Sequence, residues 1–180
     1  MNHEDRQRKL ILACKRGDIR AMETLYRQYA RSMFNVAYRI VNDFHFAEDV
    51  MQEAFLKAFE RIGQFRGDAS FGAWLKRITI NESLNWVKKY GNRYSDFPAN
   101  FSEEVEVDSA ETEPPGLEPE KLLKAMQALN PQYRTIISLF YIEGYDYREI
   151  AEIMDISYQN ARTMMTRAKK KLKKILENEK

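Results

Sequence analysis

The 180-residue sequence contains a single cysteine, Cys14, and only two histidines, His3 and His45. One cysteine excludes an intrachain disulfide and a cysteine-based zinc cluster, and two histidines are too few for a histidine-rich metal site. No apolar run approaches the ~20 residues that a membrane span requires, and the apolar stretch near the N-terminus is too short and too charged for a signal peptide. We therefore expect a cytoplasmic protein with no membrane insertion, no metal and no cofactor.

Glycine and proline are also scarce, with seven and five residues, and four of the five prolines lie between residues 91 and 120. Few helix breaks remain elsewhere, so long helices are expected. Residues 91–120 carry one basic and nine acidic side chains, whereas residues 1–90 carry 16 and 11 and residues 121–180 carry 12 and seven. Together the scarcity of helix breaks and this charge distribution predict an all-α protein of two small helical domains, 1–90 and 121–180, joined by a flexible acidic linker at 91–120. The alternative is a long surface loop within one domain, but ~25 residues without secondary structure are unusual inside a compact domain, so we favour the linker.

Apolar residues at three- and four-residue spacing predict four helices in the first domain. They span about residues 4–16, 19–40, 46–62 and 71–90. Residue types suited to helix ends stand at the breaks: Gly17 for a C-terminus, and Asp18 and Ser70 for N-termini. The long second helix is expected to turn one face, from Ile19 to Ile40, into the core of a helix bundle.

The solvent side of the predicted third helix is mostly acidic. Its residues are Glu48, Asp49, Gln52, Glu53, Lys57 and Glu60. Such a face is usually only solvated, but within a basic domain it is also the kind of surface that docks a basic partner. From these residues alone both interpretations stay open.

The predicted fourth helix carries a polar stripe, and an aromatic loop precedes it. The stripe contains Trp74, Arg77, Asn81, Asn85 and Lys88, which fall within about 80° of one another on a helical wheel. Amides, cations and an aromatic ring on one stripe suit contact with DNA bases and phosphates.

The loop offers Phe65, Arg66 and Phe71, which suit the capture of an extruded base and of the phosphate beside it. The alternative is that Phe65, Phe71 and Trp74 are core residues, and for Trp74 we favour the core.

The second domain is predicted to contain a helix-turn-helix. Asn130 precedes Pro131 at a helix start, and Asp146 followed by Glu149 has the capping-box spacing. A short turn at 155–157 then leads into a last helix rich in arginine and lysine and without acidic residues up to Ile175. Its first turns carry the side-chain types that read base edges: Gln159, Asn160, Arg162 and Thr163.

Four stretches, in this order, carry a resemblance to a known family. They are GDIRAMETLYRQY, AEDVMQEAFLKAFE, FRGDASFGAWLKRITINES and ALNPQYRTIISLFYIEGYDYREIAEIMDIS with the basic helix after it. Over nearly its whole length the chain resembles the extracytoplasmic-function sigma factors of bacterial RNA polymerase. The departures from the family pattern include Asn85, where aspartate is common, and Met164, where a cation is usual.

No nucleophile–base pair, metal cluster or phosphate-binding glycine loop is found in the sequence, so we expect no enzymatic activity. The resemblance implies three sets of contacts. Core RNA polymerase is expected to bind Asp49, Gln52 and Glu53, with Phe55 in support. The minus-ten element of promoter DNA is expected to meet Phe65, Arg66, Asp68, Ser70, Phe71, Arg77, Asn81, Asn85 and Lys88. The minus-thirty-five element is expected to meet Gln159, Asn160, Arg162, Thr163, Arg167 and Lys170. An anti-sigma factor is a further expected partner.

Two other classes of protein remain as alternatives. A helix-turn-helix regulator that acts without the polymerase would account for residues 121–180, but it would leave the acidic helix and the FRGDASF loop without a role. A nucleic-acid-modifying enzyme would need a catalytic carboxylate or metal set, and we cannot assemble one from these residues.

Overall fold

The computed structural model describes residues 3–90 and 119–178 of the chain. The predicted linker at 91–120 lies, except for its last two residues, outside the described residues. Contacts divide the chain into two compact units, Met1–Trp86 and Val87–Lys180. No strand occurs in the two described ranges, so the predicted all-α fold is confirmed. None of the helices described there combines the length and the apolar character that crossing a membrane requires.

Eight α-helices and two short helical turns make up the described residues. The first unit contains α1 (His3–Lys15), α2 (Ile19–Val41), α3 (Phe44–Glu60), a 3₁₀ turn (Ile62–Gln64) and all but the last four residues of α4 (Phe71–Tyr90). The second contains α5 (Pro119–Gln127), α6 (Pro131–Ile137), a π-turn (Ser138–Ile142), α7 (Tyr147–Met154) and α8 (Tyr158–Asn178).

Local capping fixes the boundary between α1 and α2. Gly17 follows α1 with a φ of +83°, the left-handed conformation that glycine adopts without strain. The Asp18 side chain accepts hydrogen bonds from the backbone N–H groups of Arg20 and Ala21. The predicted helix end and the predicted cap are therefore both confirmed.

Two expectations for the first unit are wrong in detail. α3 begins at Phe44 rather than near Phe46, because the Asp43 side chain accepts a hydrogen bond of 3.0 Å from the Phe46 N–H and so caps the helix earlier. Ile19 does not face the core but is 78% exposed. It is the first residue of α2 and precedes the part of the helix whose side chains are buried.

The core of the first unit is formed by side chains from all four helices. At one place the backbone of α4 also comes close to an aromatic ring of α2. Leu25 of α2, Phe55 of α3 and Leu75 of α4 are buried together, each worth ~1.5–3 kcal/mol of hydrophobic free energy. At the start of α4, a Cβ atom added to Gly72 would lie 2.9 Å from Cε1 of Tyr29. The absence of a side chain at this position therefore lets α4 pack closely on α2.

In the second unit, two helices begin at the predicted N-caps. The Asn130 side chain accepts from the Tyr133 N–H at 2.8 Å, and Pro131 is the first residue of α6. At α7 the carboxylate of Asp146 accepts from the Glu149 N–H at 2.9 Å, while the Glu149 carboxylate accepts from the Asp146 N–H at 2.8 Å. This reciprocal pair is the predicted capping box.

One feature of the second unit is not predicted. After α6 the backbone widens into the π-turn, in which the Glu143 N–H donates to the Ser138 carbonyl at 3.0 Å. Gly144, with a φ of +77°, then ends this segment. A π-turn depends on packing around the helix rather than on a local residue signal, so the sequence carries no mark of it.

Candidate polymerase and DNA interfaces

Asp49, Gln52 and Glu53 form one exposed row on α3, which we call the acidic row. Their spacing of three and four residues places them on the same face of the helix, and all three are exposed. The Glu53 carboxylate lies 3.4 Å from the Lys57 Nζ atom on the next turn. Two carboxylates and an amide in this arrangement can pair with lysine or arginine side chains of a basic surface.

Phe55 is not part of this exposed face. It is buried, and its ring centroid lies 4.7 Å from that of Tyr26 and 5.9 Å from that of Phe59. We therefore correct its expected role from a polymerase contact to a core residue that supports α3 from beneath.

Leu56 lies within the acidic row, although it is not among the predicted residues. Its side chain is 60% exposed, and on an ideal helix it points between the directions of Gln52 and Glu53, about 20° from that of Asp49. A leucine at helical spacing usually belongs to the core, which is why it escapes notice. The available signal is its place on the helical wheel, which lies among Asp49, Gln52 and Glu53.

The loop at residues 64–70, before α4, surrounds a shallow depression of about 240 Å³. Phe65 forms its floor with only 8% of its surface exposed, and the Phe65 ring centroid lies 5.3 Å from that of Trp74, which also lines the depression. Arg66 and Asp68 are exposed at the rim. Trp74, expected in the core, thus both packs against Phe65 and borders this surface.

Two predicted contacts in this region have other roles in the structure. Phe71 is 2% exposed and packs edge-to-face against Phe65 at 5.7 Å, so it is a core residue and cannot touch a base directly. The Ser70 hydroxyl accepts from the Ala73 N–H at 3.2 Å, which confirms the predicted cap of α4. The aromatic loop is therefore divided between core and surface.

The polar residues of α4 form a surface stripe, which we call the DNA stripe. Asn81, Asn85 and Lys88 are exposed and Arg77 is partly exposed. The opposite side of the helix is buried and includes two hydroxyl groups, those of Thr79 and Ser83, which donate to backbone carbonyls one turn earlier at 3.0 and 2.8 Å. Their hydrogen bonds within the helix remove the cost of burying these two hydroxyl groups. This side of α4 can therefore pack on the core, which leaves the stripe facing outward.

The helix-turn-helix is present as predicted. Asp155 takes up the left-handed conformation, with a φ of +56°, at the end of α7. The Ser157 hydroxyl then accepts from the Asn160 N–H at 3.1 Å and caps α8. The inward face of α8 consists of Ala161, Met164, Met165 and Ala168, all buried. The burial of Met164 accounts for the absence of a cation there.

The predicted DNA-reading residues lie on the outward side of α8. Gln159, Asn160 and Lys170 are exposed, and Arg162, Thr163 and Arg167 are partly exposed. Thr166 shares this side although it is not among the predicted residues, and its hydroxyl donates to the Arg162 carbonyl at 3.1 Å. Helical spacing from Arg162 and Thr163 is the signal that could have found it.

Comparisons with known proteins identify the family to which the chain belongs. The family model of sigma-70 region 2 matches residues 25–93, and that of sigma-70 region 4 matches residues 120–172. The chain is 33% identical to the RNA polymerase sigma-H factor of Pseudomonas aeruginosa, over 97% of this chain and 95% of that protein. It is 32% identical to the ECF RNA polymerase sigma-E factor of Haemophilus influenzae, over 89% of each.

Solved structures share the fold. A sigma factor RpoE from Bartonella quintana, crystallised with the anti-sigma factor NepR, matches with a TM-score of 0.59 and 23% identity, over 88% of this chain and 98% of that one. CnrH, in complex with the cytosolic domain of CnrY, matches with a TM-score of 0.58 and 21% identity, over 97% and 99%. The chain therefore belongs to the extracytoplasmic-function sigma factors of the sigma-70 family, which direct RNA polymerase to promoters.

Proposed function

We propose that this sigma factor divides its work between two regions: residues 1–90 dock on core RNA polymerase and engage the minus-ten element, and residues 121–180 engage the minus-thirty-five element. The observation that carries the proposal is the exposed acidic row of α3. A protein that only bound DNA would gain nothing from carboxylates near its DNA surface, because they repel phosphates. They are suited instead to a basic protein partner.

In this proposal the 64–70 loop and the DNA stripe act together at the minus-ten element. A base leaving the duplex enters the depression above Phe65 and beside Trp74, where contact with the partly exposed Trp74 ring offsets part of the cost of unstacking. Arg66 at the rim holds the neighbouring phosphate. Asn81 and Asn85 supply hydrogen bonds to base edges, and Arg77 and Lys88 hold the backbone.

The minus-thirty-five element is read by α8. Gln159, Asn160, Arg162 and Thr163 lie in its first turns, the part that enters the major groove in helix-turn-helix proteins. Arg167 and Lys170 lie further along the helix, beside the DNA backbone. Sequence preference and salt-dependent affinity are thus assigned to different parts of one helix.

We also propose that the protein works in the cytoplasm, has no catalytic activity of its own, and is held inactive by an anti-sigma factor. The fold is shared with RpoE and CnrH, whose structures contain the partner proteins NepR and CnrY. A partner that covered the acidic row would compete directly with core polymerase. Adding such a partner to the purified protein should therefore reduce holoenzyme formation in proportion to its concentration.

Reconstitution tests the proposal against the alternative of a regulator that acts without the polymerase. The purified full-length chain is mixed with core RNA polymerase, and co-elution in gel filtration and transcription from a promoter selected out of a random DNA pool are measured. We expect co-elution and transcription from a defined start site. Specific DNA binding by the free chain, without co-elution, would favour the alternative and refute the proposal.

A further inference from the structure

The 64–70 loop is tied to α1 by a lysine that is not among the residues assigned above. The Lys15 Nζ atom donates a hydrogen bond of 2.7 Å to the backbone carbonyl of Phe65. The two residues are 50 positions apart in the sequence, so the contact depends on the tertiary fold. Because the donor is charged, the bond belongs to the stronger class of hydrogen bonds in proteins.

The lysine is anchored by the helix that carries it. Lys15 is the last residue of α1, where the helix dipole favours a cation. The preceding residue, Cys14, is buried in the same core cluster as Phe65. The chain turns immediately afterwards, with the Gly17 N–H donating to the Cys14 carbonyl at 2.9 Å. The ammonium group therefore reaches the loop from an ordered element packed on the same core.

The accepting carbonyl stands at the upstream end of the loop. The Phe65 N–H donates to the Ile62 carbonyl at 3.2 Å, and the Phe65 ring packs on Trp74. Its carbonyl is the last backbone group before the exposed residue Arg66. At the downstream end, the loop is held by Ser70 as the cap of α4. Lys15 thus holds the point at which the loop leaves the core.

We propose that Lys15 is a positioning residue for promoter opening, because it holds the Phe65 carbonyl and so keeps the depression beside Trp74 ready for an extruded base. The inference rests on the proposed function of the 64–70 loop. Without the bond the loop samples more conformations, and an entering base has to order it first, which costs conformational entropy. This cost falls on the opening step and not on the first binding to duplex DNA.

The test compares two substitutions at adjacent positions. Lys15→Met keeps the aliphatic stem and removes the donor, while Arg16→Met removes the same charge from an exposed neighbour. Both variants lose the same long-range attraction for DNA. Holoenzymes assembled with the full-length variants are bound to a selected promoter that carries 2-aminopurine at the extruded position. Closed-complex affinity and the opening rate, read from the fluorescence, are then measured separately.

We expect Lys15→Met to slow opening by about fivefold to tenfold relative to Arg16→Met, the loss expected for an ordinary hydrogen bond, because Lys15 is solvent-exposed and its charge is therefore screened. Closed-complex affinity should be the same in both variants. Lys15→Arg retains a charged donor and should recover most of the rate. Amide hydrogen exchange in the free protein should rise at residues 66–70 in Lys15→Met only, a change that needs no DNA.

Equal opening rates for Lys15→Met and Arg16→Met would overturn the inference, as would an equal loss at the closed and open stages. Arg66→Ala distinguishes this failure from a failure of the proposed function. If Arg66→Ala slows opening and Lys15→Met does not, the loop keeps its proposed role and the inference is wrong. If neither variant slows opening, the loop is not the base site and both proposals fall.

Discussion

Lys57 and Glu82 join α3 to α4 through an ion pair. The Lys57 Nζ atom lies 2.6 Å from Oε2 of Glu82, whose side chain is only 15% exposed. Lys57 also lies 3.4 Å from Glu53 of the acidic row, and Glu82 directly follows Asn81 of the DNA stripe. One lysine therefore links the proposed polymerase surface to the proposed minus-ten surface.

Lys57→Met is expected to lower the free energy of unfolding by about 1–2 kcal/mol, because Glu82 is left partly buried without its cation. The hydrogen bond to Glu82, partly opposed by burial, raises the pKa of Lys57 above its ordinary value of 10.5. A raised folded-state pKa means that this stability is fully present below the unfolded pKa and is lost as pH rises through the folded value.

Urea unfolding at about pH 8 and about pH 11.5 measures both effects, and the difference between wild type and Lys57→Met should shrink at the higher pH. Glu23→Gln is the control, since it breaks an ion pair of 2.7 Å with Arg27 in which both side chains are more than half exposed. Its effect should stay below about 0.5 kcal/mol. Equal losses for the two variants would contradict the prediction.

Asp49→Lys should weaken the binding of core RNA polymerase by about tenfold or more, because a cation would then face a basic surface. Glu23→Lys makes the same change of charge on α2, away from the acidic row, and should bind core as wild type does. Titration of fluorescently labelled variants with core polymerase gives both affinities. Wild-type affinity for Asp49→Lys, with an unchanged circular dichroism spectrum, would rule out the acidic row as the docking surface.

Leu56→Ala should weaken core binding by about fivefold, as expected for an apolar contact at the centre of a polar interface. The stability of the free protein should not change, because the side chain is already exposed. Leu12→Ala on α1, where the leucine is 47% exposed, is the matched control. The same titration with core polymerase measures the affinity of both variants. Equal affinities would show that Leu56 is an ordinary surface residue.

Asn81→Ala should slow open-complex formation and leave closed-complex affinity near that of wild type. The expected reason is that its amide contacts bases only after the strands separate. Asn35→Ala removes an exposed amide from α2 and serves as the control. Permanganate reactivity of minus-ten thymines follows opening, and filter binding follows the closed complex. Equal losses at both stages would indicate a simple groove contact.

Arg162→Ala should relax the preference at one or two adjacent minus-thirty-five positions, because a guanidinium that pairs with guanine is worth ~1–3 kcal/mol of discrimination. Lys170→Ala should weaken binding to all sequences alike and lower the salt slope by about one ion. Binding to a panel of single-base promoter changes at several salt concentrations separates the two effects. A uniform loss with Arg162→Ala would transfer base reading to Gln159 or Asn160.

Local signals account for what could be predicted from sequence. The caps at Asp18, Asn130, Asp146 and Ser157 each depend on hydrogen bonds within three residues, so their spacing in the sequence is enough to find them. The polar side of α8 follows in the same way from helical periodicity once the helix start is known.

The remaining features depend on contacts between distant segments. Lys15 and Phe65 are 50 positions apart, and Lys57 and Glu82 are 25 apart, so no local pattern brings either pair together. Phe71 and Phe65 are both aromatic and close in sequence, yet only the packing of α4 decides that one lies beneath the other. The helical wheel places Leu56 among the residues of the acidic row, but its exposure depends on which neighbouring element covers each face of α3.

The close approach of Gly72 to Tyr29 sets helix propensity against packing. At an open helical site, replacing glycine by alanine gains roughly 0.5–1 kcal/mol, and a search for stabilising substitutions would choose this residue early. Here the added methyl group would meet a ring whose hydroxyl already accepts a hydrogen bond of 3.1 Å from Gln7. Either the Tyr29 ring would have to leave its hydrogen bond with Gln7, or the first turn of α4 would have to move away from α2 together with the downstream end of the 64–70 loop. Packing thus requires glycine at position 72, although glycine is a poor helix former. Replacement of Gly72 by alanine should therefore destabilise the protein, even though helix propensity alone favours it.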